Sequence, residues 1–587
     1  MTGSFAAPLL RVTVNDNDEP LRPHGHLSYV CGGNDQPLRF VTVSQALDDT
    51  VAAHGTRLAA IFSAEREMLT WQELQRQSDD VAASLVSLGI RRGNRVAIWS
   101  PNRREWLLAQ FGAARIGAVL VNVDPLCEVS ELEDVLNLVR CRVLILARRF
   151  QGRDLLGMLK GLAPELDRPG DRPRLEAQRL PHLKHVIVLS EGLTPARAER
   201  FSDFLRRAGA SSRRRLPALS AALDPDHAIN IQFTSGTTGA PKAVTLSHFN
   251  IVNNARSAAR TMRLTELDRL CIAVPLHQSL GMVLGALACA VTGATMVFPG
   301  LVFDALGTLD AVSRHRCTAL HGTPGMFEML LDHPDLPDYD TASLRTGIIA
   351  GAPCPIATLE RLMEQMSMDE VTVAYGMAEA GPASFQTRIE DAPELRAETV
   401  GRVQSNIEAK VIDFDGNIVP IGCRGELCVR GYAVMRGYWE QPDRTRESFD
   451  EAGWLHTGDL VTLDAAGYCR IVGRVADRFV RGNVHLYPED LEALIRSHPK
   501  VQDVQVFAVP EGRHDNEICA WVIPRPGADV SANEIKAFCR SEVGQHHLPR
   551  HVRFVTDFPL TSTGRAKKFI MRSLMLREIK DSKARSA

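Results

Sequence analysis

Several features that would narrow the function of this chain are missing from its 587 residues. Lysine and arginine number 68 against 70 acidic residues, a formal net charge of -2, so the basic excess of nucleic-acid-binding proteins is absent. No stretch reaches the roughly 18 apolar residues of a membrane span. The first residues contain no basic segment followed by an apolar core, so no secretory signal is expected. We therefore expect no nucleic-acid partner and no membrane span.

Paired cysteine motifs are missing as well. The twelve cysteines contain no C-x-x-C motif, and Cys423 with Cys428 lacks the second half of a zinc site. Cysteines scattered in this way, from Cys31 to Cys539, are typical of reduced packing residues. We therefore expect a cytoplasmic protein.

The length and composition are those of an ordinary globular protein with more than one domain. Hydrophobic residues make up 45% and charged residues 24%, and 587 residues exceed what one core usually supports. Glycine and charge interrupt the apolar pattern at residues 473–483, as is typical of a linker. One helical and two strand patterns follow, at 489–497, 501–509 and 519–523. We predict an N-terminal domain over residues 1–476 and a small α+β C-terminal domain over residues 477–587, joined by a hinge.

The order of periodic segments predicts the fold class of the larger domain. A capping box at Thr70 to Glu73 opens a helical pattern that runs to Gly89, and residues 95–99 then read as a buried strand. Further apolar runs lie at 118–123, 143–147 and 186–189. Because strands alternate with helical patterns, we predict an α/β domain with mostly parallel sheets.

The most informative segment is residues 234–242, which read Thr-Ser-Gly-Thr-Thr-Gly-Ala-Pro-Lys. Glycines leave backbone N–H groups free to converge on an anion, the hydroxyls donate hydrogen bonds, and Lys242 adds a positive charge. The segment is not a Walker P-loop, which needs Gly-x-x-x-x-Gly-Lys-Ser/Thr, and an ordinary surface turn is the alternative. We expect it to hold nucleotide phosphates. The candidates are Thr234, Ser235, Gly236, Thr237, Thr238 and Gly239.

Five later motifs, together with this loop, resemble those of the adenylate-forming superfamily. They are Gly351-Ala352-Pro353, Tyr375-Gly376-Met377-Ala378-Glu379, Gly437-Tyr438-Trp439, Thr457-Gly458-Asp459 and Gly473-Arg474 to Asp477. Their order and spacing are similar to those of acyl-CoA synthetases, particularly the medium-chain fatty acyl type, from about residue 60 to about residue 575. In that family a large N-terminal domain binds ATP, Mg²⁺ and a carboxylic acid and forms an acyl-adenylate. A small C-terminal domain then rotates so that CoA attacks.

The resemblance implies a nucleotide site. Asp459 would accept hydrogen bonds from both ribose hydroxyls, Arg474 would support the same sugar, and Glu379 would bind Mg²⁺ as a hard oxygen ligand. Lys242 would contact the phosphates with the rest of its loop. Gly351, Ala352 and Pro353 with Tyr375 would hold the adenine, and Gly376 and Ala378 complete the nucleotide-binding candidates.

The resemblance also implies a moving C-terminal domain. Asp477 stands at the hinge position of the family, where it would absorb the backbone rotation between the two steps. A plain linker carboxylate at a turn is the alternative. Arg481 and Gly482 would flank the CoA tunnel in the thioester-forming orientation.

Two departures from the family pattern fall on the adenylation step. The residue after Gly564 is a lysine in the family, where it clamps the acyl carboxylate and the α-phosphate, whereas this chain has Arg565. A planar guanidinium does not replace a compact ammonium at a crowded site. A rival alignment would let Lys567 or Lys568 reach in. Ala378 replaces a threonine that would donate to the α-phosphate, so we expect impaired adenylation.

The acyl pocket is expected near the segment from Pro275 to Gly281. Relatives carry an aromatic residue followed by histidine there, whereas this chain has His277 followed by Gln278. His277 is expected to line the pocket or pack beside it rather than to act as a base, because thiol attack on an anhydride depends on positioning. The candidates are His277, Gln278, Gly281, Met282 and Met377. The thioethers favour an apolar acyl group, and ordinary core filling is the alternative.

The sequence is interpreted as an acyl-CoA ligase that forms a thioester from an acyl-adenylate and CoA, with the ATP-dependent first step impaired or absent. Its candidate catalytic residues are Arg565, Asp477 and Lys242. A separate enzyme would supply the adenylate, and Mg²⁺ would be needed if adenylation is retained. The alternatives are a complete two-step ATP-dependent synthetase and a non-catalytic binder of acyl-adenylate or CoA. A carrier-protein thiol in place of CoA, the acid and the oligomeric state stay open, with a homodimer suggested by analogy alone.

Overall fold

The computed structural model describes residues 23, 25–34, 37–169, 173–190, 192–234, 241–481, 484–511, 515–542, 548–559 and 566–586. Its helices are α1 (Val43–His54), α2 (Trp71–Ser87), α3 (Arg104–Arg115), α4 (Val129–Leu138), α5 (Leu155–Leu162), α6 (Phe201–Leu205), α7 (Ala210–Ala221), α8 (His248–Thr261), α9 (Ala288–Thr292), α10 (Ala305–His315), α11 (Pro324–Leu331), α12 (Ile356–Met366), α13 (Pro393–Glu398), α14 (Pro442–Glu447), α15 (Pro488–Arg496), α16 (Ala532–Glu542) and α17 (Lys568–Ser586).

The strands are β1 (Tyr29–Cys31), β2 (Leu58–Phe62), β3 (Glu67–Thr70), β4 (Arg95–Trp99), β5 (Val119–Val123), β6 (Val143–Ala147), β7 (His185–Leu189), β8 (Glu199–Arg200), β9 (Ala228–Thr234), β10 (Lys242–Ser247), β11 (Arg269–Ile272), β12 (Thr295–Phe298), β13 (Ala319–His321), β14 (Thr346–Ala350), β15 (Glu370–Tyr375), β16 (Phe385–Gln386), β17 (Arg402–Val403), β18 (Ile407–Ile412), β19 (Gly425–Gly431), β20 (Gly437–Tyr438), β21 (Leu455–Leu463), β22 (Cys469–Arg474), β23 (Phe479–Arg481), β24 (Val484–Leu486), β25 (Val501–Glu511), β26 (Asp515–Pro524) and β27 (His551–Phe554).

Two large sheets carry the parallel pairing of the N-terminal part. The first has the order β20-β10-β9-β5-β4-β6-β7-β8 and is parallel from β9 to β8. The second has the order β17-β16-β15-β14-β13-β11-β12-β2-β3 and is parallel from β15 to β2. Strand β4 is apolar on both faces, since Val96 and Ile98 join one core cluster and Ala97 and Trp99 another. This pattern is typical of a parallel sheet covered on both sides and confirms the predicted α/β architecture.

Helix α2 illustrates how local sequence produces the elements between the strands. The Thr70 hydroxyl accepts a hydrogen bond from the Glu73 backbone N–H at 3.2 Å, and the Glu73 carboxylate accepts one from the Thr70 N–H at 2.8 Å. This reciprocal capping confirms the predicted start of the helix. Trp71, Leu74 and Leu85 are completely buried along one face of α2, which binds the helix to the sheet.

A third, antiparallel sheet follows in the chain and leads to the C-terminal part. Its order is β1-β18-β19-β21-β22. In the C-terminal part β25 pairs antiparallel with β26, and β27 pairs parallel with β26. Leu491, Ile495 and Ile535 of α15 and α16 pack on one face of these strands, whereas Met571 and Met575 of α17 pack on the other. The predicted helix at 489–497 and strands at 501–509 and 519–523 are therefore confirmed, with small shifts in their ends.

The helices and the cysteines bear on two expectations from the composition. None of the helices in the described ranges is both long enough and apolar enough to cross a bilayer. All twelve cysteines are free thiols, and ten of them are buried. The expectation of packing cysteines is thereby confirmed.

Candidate functional site

The predicted phosphate loop connects two paired strands at the edge of the first large sheet. Thr234 ends β9, Lys242 begins β10, and the two residues are register partners. The loop between them therefore leaves and re-enters the sheet at the carboxyl end of β9, where ligands of α/β sheets usually bind. Ser235, Gly236, Thr237, Thr238 and Gly239 lie outside the described residues.

A buried carboxylate lies where the two ends of this loop come together. Glu379, which is 4% exposed, accepts hydrogen bonds at Oε1 from the Thr234 hydroxyl at 3.3 Å and from the Tyr438 hydroxyl at 3.1 Å. The Lys242 ammonium lies 5.4 Å from the centroid of the Tyr438 ring, within the range of a cation–π contact. Burial, followed by the neighbouring Glu379 carboxylate, raises the pKa of Tyr438, so this hydroxyl remains a donor. The predicted residues Thr234, Lys242 and Glu379 are thus brought together.

The donor set around Glu379 fits a hard cation. Glu379 Oε1 takes part in both hydrogen bonds, and no described residue hydrogen-bonds to Oε2. A free carboxylate oxygen next to a phosphate loop matches the way proteins bind Mg²⁺, through one or two carboxylates completed by substrate phosphates. Glu379 is therefore the described side chain suited to hold Mg²⁺ at this site.

A second buried carboxylate joins the second large sheet to the antiparallel one. Asp459 on β21 is 6% exposed, and its Oδ2 accepts a hydrogen bond from the Tyr375 hydroxyl at 2.6 Å. Its Oδ1 lies 3.0 Å from the Arg474 Nε, and Asp459 and Arg474 are register partners across β21 and β22. Burial, followed by the Asp459 charge, raises the pKa of Tyr375 well above its usual range. The three residues predicted to hold the nucleoside are thus one hydrogen-bonded unit.

An irregularity in the pairing of β21 with β19, at Thr457 and Gly458, orients this carboxylate. The Thr457 hydroxyl donates to the Leu427 carbonyl at 2.8 Å and accepts from the Asp459 N–H at 3.1 Å. Gly458 adopts a φ of 71°, in the region that favours glycine, and its N–H donates to Glu426 at 3.1 Å. The motif Thr457-Gly458-Asp459 is therefore a local device that fixes one side chain.

The predicted adenine-binding segments lie at one edge of the second large sheet. Gly351, Ala352 and Pro353 directly follow β14, and Gly376 directly follows β15, its parallel neighbour. A Cβ atom at position 376 would lie 2.4 Å from the Pro382 carbonyl oxygen, so only glycine fits this approach of two backbone segments. The two segments are thus placed side by side, as an adenine site between them requires.

Four of the five candidate acyl residues lie in or just before a π-helix at Leu280–Leu287: His277, Gln278, Gly281 and Met282. Such helices are rare and occur frequently at functional sites. The Gln278 carbonyl accepts from the Met282 N–H at 2.9 Å, and Gly281 is needed because a Cβ there would lie 2.3 Å from the Pro275 carbonyl oxygen. His277, with a side chain 13% exposed, has its pKa lowered by burial, an effect that Asp124 opposes. A neutral His277 fits the predicted lining role.

Met377 and Ala378 pack against the same core cluster that contains Met282. Both are partly buried and lie directly before Glu379. Ala378 begins a single turn of 3-10 helix, Ala378–Ala380, that carries the Glu379 carboxylate.

Sequence reasoning missed several side chains of this site. Tyr438 belonged to a recognised motif but was given no role, and the buried amides Asn122, Asn230 and Gln232 were not recognised. Their signal in the sequence is the alternation Ile229-Asn230-Ile231-Gln232 in an otherwise apolar strand. A polar residue on the buried face of a strand is informative because it needs a hydrogen-bond partner.

The predicted hinge and clamp residues are only partly described. Asp477 ends a 3-10 helix, Val475–Asp477, between β22 and β23. Arg481 ends β23 with its side chain outside the described part, and Gly482 and Arg565 lie entirely outside it. Lys568 Nζ lies 2.9 Å from Glu492 Oε1 in a largely buried ion pair within the C-terminal part. The rival assignment of Lys568 to the nucleotide is therefore not supported by its contacts.

Comparisons with known proteins identify the family. Profiles of the AMP-binding enzyme and of the AMP-binding enzyme C-terminal domain match residues 47–439 and 490–565. The medium-chain acyl-CoA ligase ACSF2, mitochondrial, of Pongo abelii is 39% identical over 570 residues, covering 95% of this chain and 91% of that protein. Its Homo sapiens counterpart is 38% identical with the same coverage. The crystal structure of the anthranilate CoA ligase AuaEII with anthranoyl-AMP is 25% identical, with a TM-score of 0.78 over 93% of this chain and 99% of that one.

The chain therefore belongs to the AMP-binding enzyme family, among its acyl-CoA ligases. Its large N-terminal α/β part and small C-terminal part form the adenylate-forming fold, which confirms the fold class predicted from the motifs.

Proposed function

We propose that this chain is a complete AMP-forming acyl-CoA ligase. It activates a carboxylic acid with ATP, releases pyrophosphate, and transfers the acyl group from the adenylate to the thiol of CoA with release of AMP. The observation that carries the proposal is the pair of buried carboxylates, Glu379 at the ends of the phosphate loop and Asp459 held by Tyr375 and Arg474. The ACSF2 relatives, which match 95% of the chain and are named medium-chain acyl-CoA ligases, support a medium-chain acid as substrate.

The two carboxylates divide the work on the nucleotide. Asp459 offers two acceptor oxygens to the ribose hydroxyls, while Tyr375 and Arg474 restrict its orientation. Glu379 holds Mg²⁺, which when bound offsets the negative charge of the phosphates. Lys242 and the loop from Thr234 contact the same phosphates. A carboxylic acid is a poor electrophile, and binding it beside the α-phosphate in this fixed geometry lets it form the mixed anhydride that CoA then attacks.

The second step uses a rotation of residues 477–587 relative to residues 1–476, with Asp477 as the hinge. In the arrangement seen here the Arg424 guanidinium binds the Asp490 carboxylate through contacts of 2.9 and 2.6 Å. Such exposed pairs are worth little, about 1 kcal/mol or less, so they do not prevent rotation. Arg481 and Gly482 then flank the entry path of CoA. The cytoplasmic location and the homodimer stay predictions.

An impaired first step is the second candidate, and Arg565 is the observation that favours it. A guanidinium at this position is wider than the ammonium of the family pattern. The relatives give no support to an impaired step, so the complete ligase is the first choice.

Pyrophosphate release separates the candidates. The purified protein is incubated with ATP, Mg²⁺, CoA and a series of straight-chain acids of graded length, and in parallel with the matching synthetic acyl-adenylates and CoA. A complete ligase releases pyrophosphate from acid and ATP and forms the thioester in both arms. Thioester formation from the adenylates alone would establish the impaired enzyme, and Arg565→Lys should then restore pyrophosphate release. Ligand-induced stabilisation without turnover in either arm would indicate a binder.

A further inference from the structure

A row of buried amide side chains crosses the first large sheet beside the candidate acyl residues. Asn122 on β5 and Asn230 and Gln232 on β9 are 3%, 2% and 4% exposed. Asn122 and Gln232 are register partners, and Asn230 lies two residues before Gln232, so all three share one face. Asn122 Nδ2 lies 3.1 Å from the His277 carbonyl oxygen and 3.4 Å from Met282 Sδ. The row therefore faces the segment predicted to line the acyl pocket.

The hydrogen bonds of this row are incomplete. Asn230 Nδ2 donates to Asn122 Oδ1 at 3.0 Å, and the Ser279 hydroxyl donates to Gln232 Oε1. Three buried polar atoms find no hydrogen-bond partner among the described residues: Asn230 Oδ1, Gln232 Nε2 and His277 Nε2. Each such atom costs about 1–3 kcal/mol when it stays unpaired. Water or a polar group of a ligand must therefore complete the row.

The unpaired atoms define the chemistry of the missing partner. Gln232 Nε2 is a donor and Asn230 Oδ1 an acceptor, so one hydroxyl group, which both donates and accepts, suits them together. Their Cα atoms are about 6.6 Å apart along the strand, and two hydrogen bonds of about 2.8 Å through one oxygen span at most about 5.6 Å, so a shared hydroxyl requires the two side chains to converge by about 1 Å. A second carboxylate is a poorer fit, because it only accepts and because Asp124 Oδ1 lies 3.7 Å from His277 Nε2. An unsubstituted alkyl chain satisfies none of these atoms.

We propose that the acyl pocket selects a carboxylic acid whose chain carries a neutral hydroxyl group, bound by Gln232 and Asn230. The proposal rests on the ligase function proposed above and names the substrate class of that site. A buried site built to bind a hydroxyl discriminates strongly against analogues that lack it, because its own polar groups are then left unpaired.

The test compares a positional series of monohydroxy acids with the unsubstituted acid of the same length, using kcat/KM for thioester formation. One hydroxy isomer should exceed the unsubstituted acid by at least about tenfold in the wild type. Gln232→Leu should lower kcat/KM for the hydroxy acid at least about tenfold more than for the unsubstituted acid, so that the preference is lost. Gln110→Leu is the matched control, because Gln110 on α3 is also buried, at 5% exposure, with an amide that lacks a hydrogen bond to described residues. The control should keep the wild-type preference.

Binding of non-hydrolysable acyl-adenylate analogues, with and without the hydroxyl, gives a second readout that needs no variant and no turnover. A wild type that prefers the unsubstituted chain in both assays overturns the proposal, with water completing the row. If the preference for the hydroxy acid survives in Gln232→Leu, the hydroxyl is not bound by this row of amides. Turnover of any acid supports the ligase function regardless of hydroxyl preference. If no acid is turned over but the hydroxylated analogue still binds selectively, only the proposed ligase function is overturned.

Discussion

The buried ion pair between Lys568 and Glu492 should stabilise the C-terminal part of the molecule. Lys568 Nζ lies 2.9 Å from Glu492 Oε1, and the two side chains are only 16% and 10% exposed. Lys568 begins α17 and Glu492 lies on α15, so the pair joins helices that pack on opposite faces of the same strands. Glu492 also accepts a hydrogen bond from the Val506 N–H on β25 at 2.7 Å. Lys568→Met keeps most of the apolar stem of the side chain and removes the terminal ammonium group.

The expected loss of stability follows from this geometry. Removing one partner of a buried pair costs about 3–5 kcal/mol, because the remaining charge is left without compensation. The hydrogen bond from the Val506 N–H to Glu492, which the variant keeps, places the loss at the lower end of this range. We expect Lys568→Met to destabilise the C-terminal part by about 3 kcal/mol at pH 7.

Hydrogen exchange of the paired strands β25 and β26 measures this loss directly. Lys567→Met is the matched control, since Lys567 is the half-buried neighbour and no ion pair joins it to a described residue. Exchange protection should fall about a hundredfold at pH 7 in Lys568→Met and stay near the wild type in the control. Equal protection in the two variants would refute this reasoning.

Three further predictions concern residues around the nucleotide site and the start of the C-terminal part. Burial raises the pKa of Glu489 from 4.5 to about 7. Between these pH values the folded state keeps a proton that the unfolded chain loses, so the free energy of unfolding should fall by at most about 3 kcal/mol as the pH rises from 4.5 to 7. Urea titrations at several pH values should show this fall in the wild type. The same fall in Glu489→Gln would contradict its assignment to Glu489. Tyr375→Phe removes the 2.6 Å hydrogen bond to Asp459 and should weaken AMP binding about tenfold by calorimetry; unchanged affinity would show that Asp459 needs no support. Gly376→Ala places a methyl group 2.4 Å from the Pro382 carbonyl oxygen and should cost about 1–3 kcal/mol of stability, so an unaltered Tm would argue against this close contact.

Much of the fold and part of the site were predictable because they depend on residues close together in sequence. The capping box at Thr70 starts α2 where its hydroxyl and Glu73 predict. The irregularity of β21 at Asp459 is shaped by Thr457 and Gly458, its immediate neighbours. Such features carry their own physical cause, whether a short hydrogen bond or a positive φ, so a short motif suffices to find them.

The missed residues share a different cause. Tyr438 meets Glu379 because β20 pairs with β10 at the edge of the first sheet, and no pattern near Tyr438 specifies that pairing. The position of Lys568 was left between two alignments, and its partner Glu492, 76 residues away, decides where its ammonium lies.

The sequence by itself determined the class of fold and the positions of several helices and strands, and its motifs singled out the two carboxylates through their resemblance to the family, since periodicity and short motifs act over a few residues. Only the tertiary structure decided which side chains those carboxylates meet, and it alone brought Asn122, Asn230 and Gln232 into one buried row. The reason is that strand register over long separations, rather than local preference, sets which polar groups are buried together and which are left to be completed by a ligand.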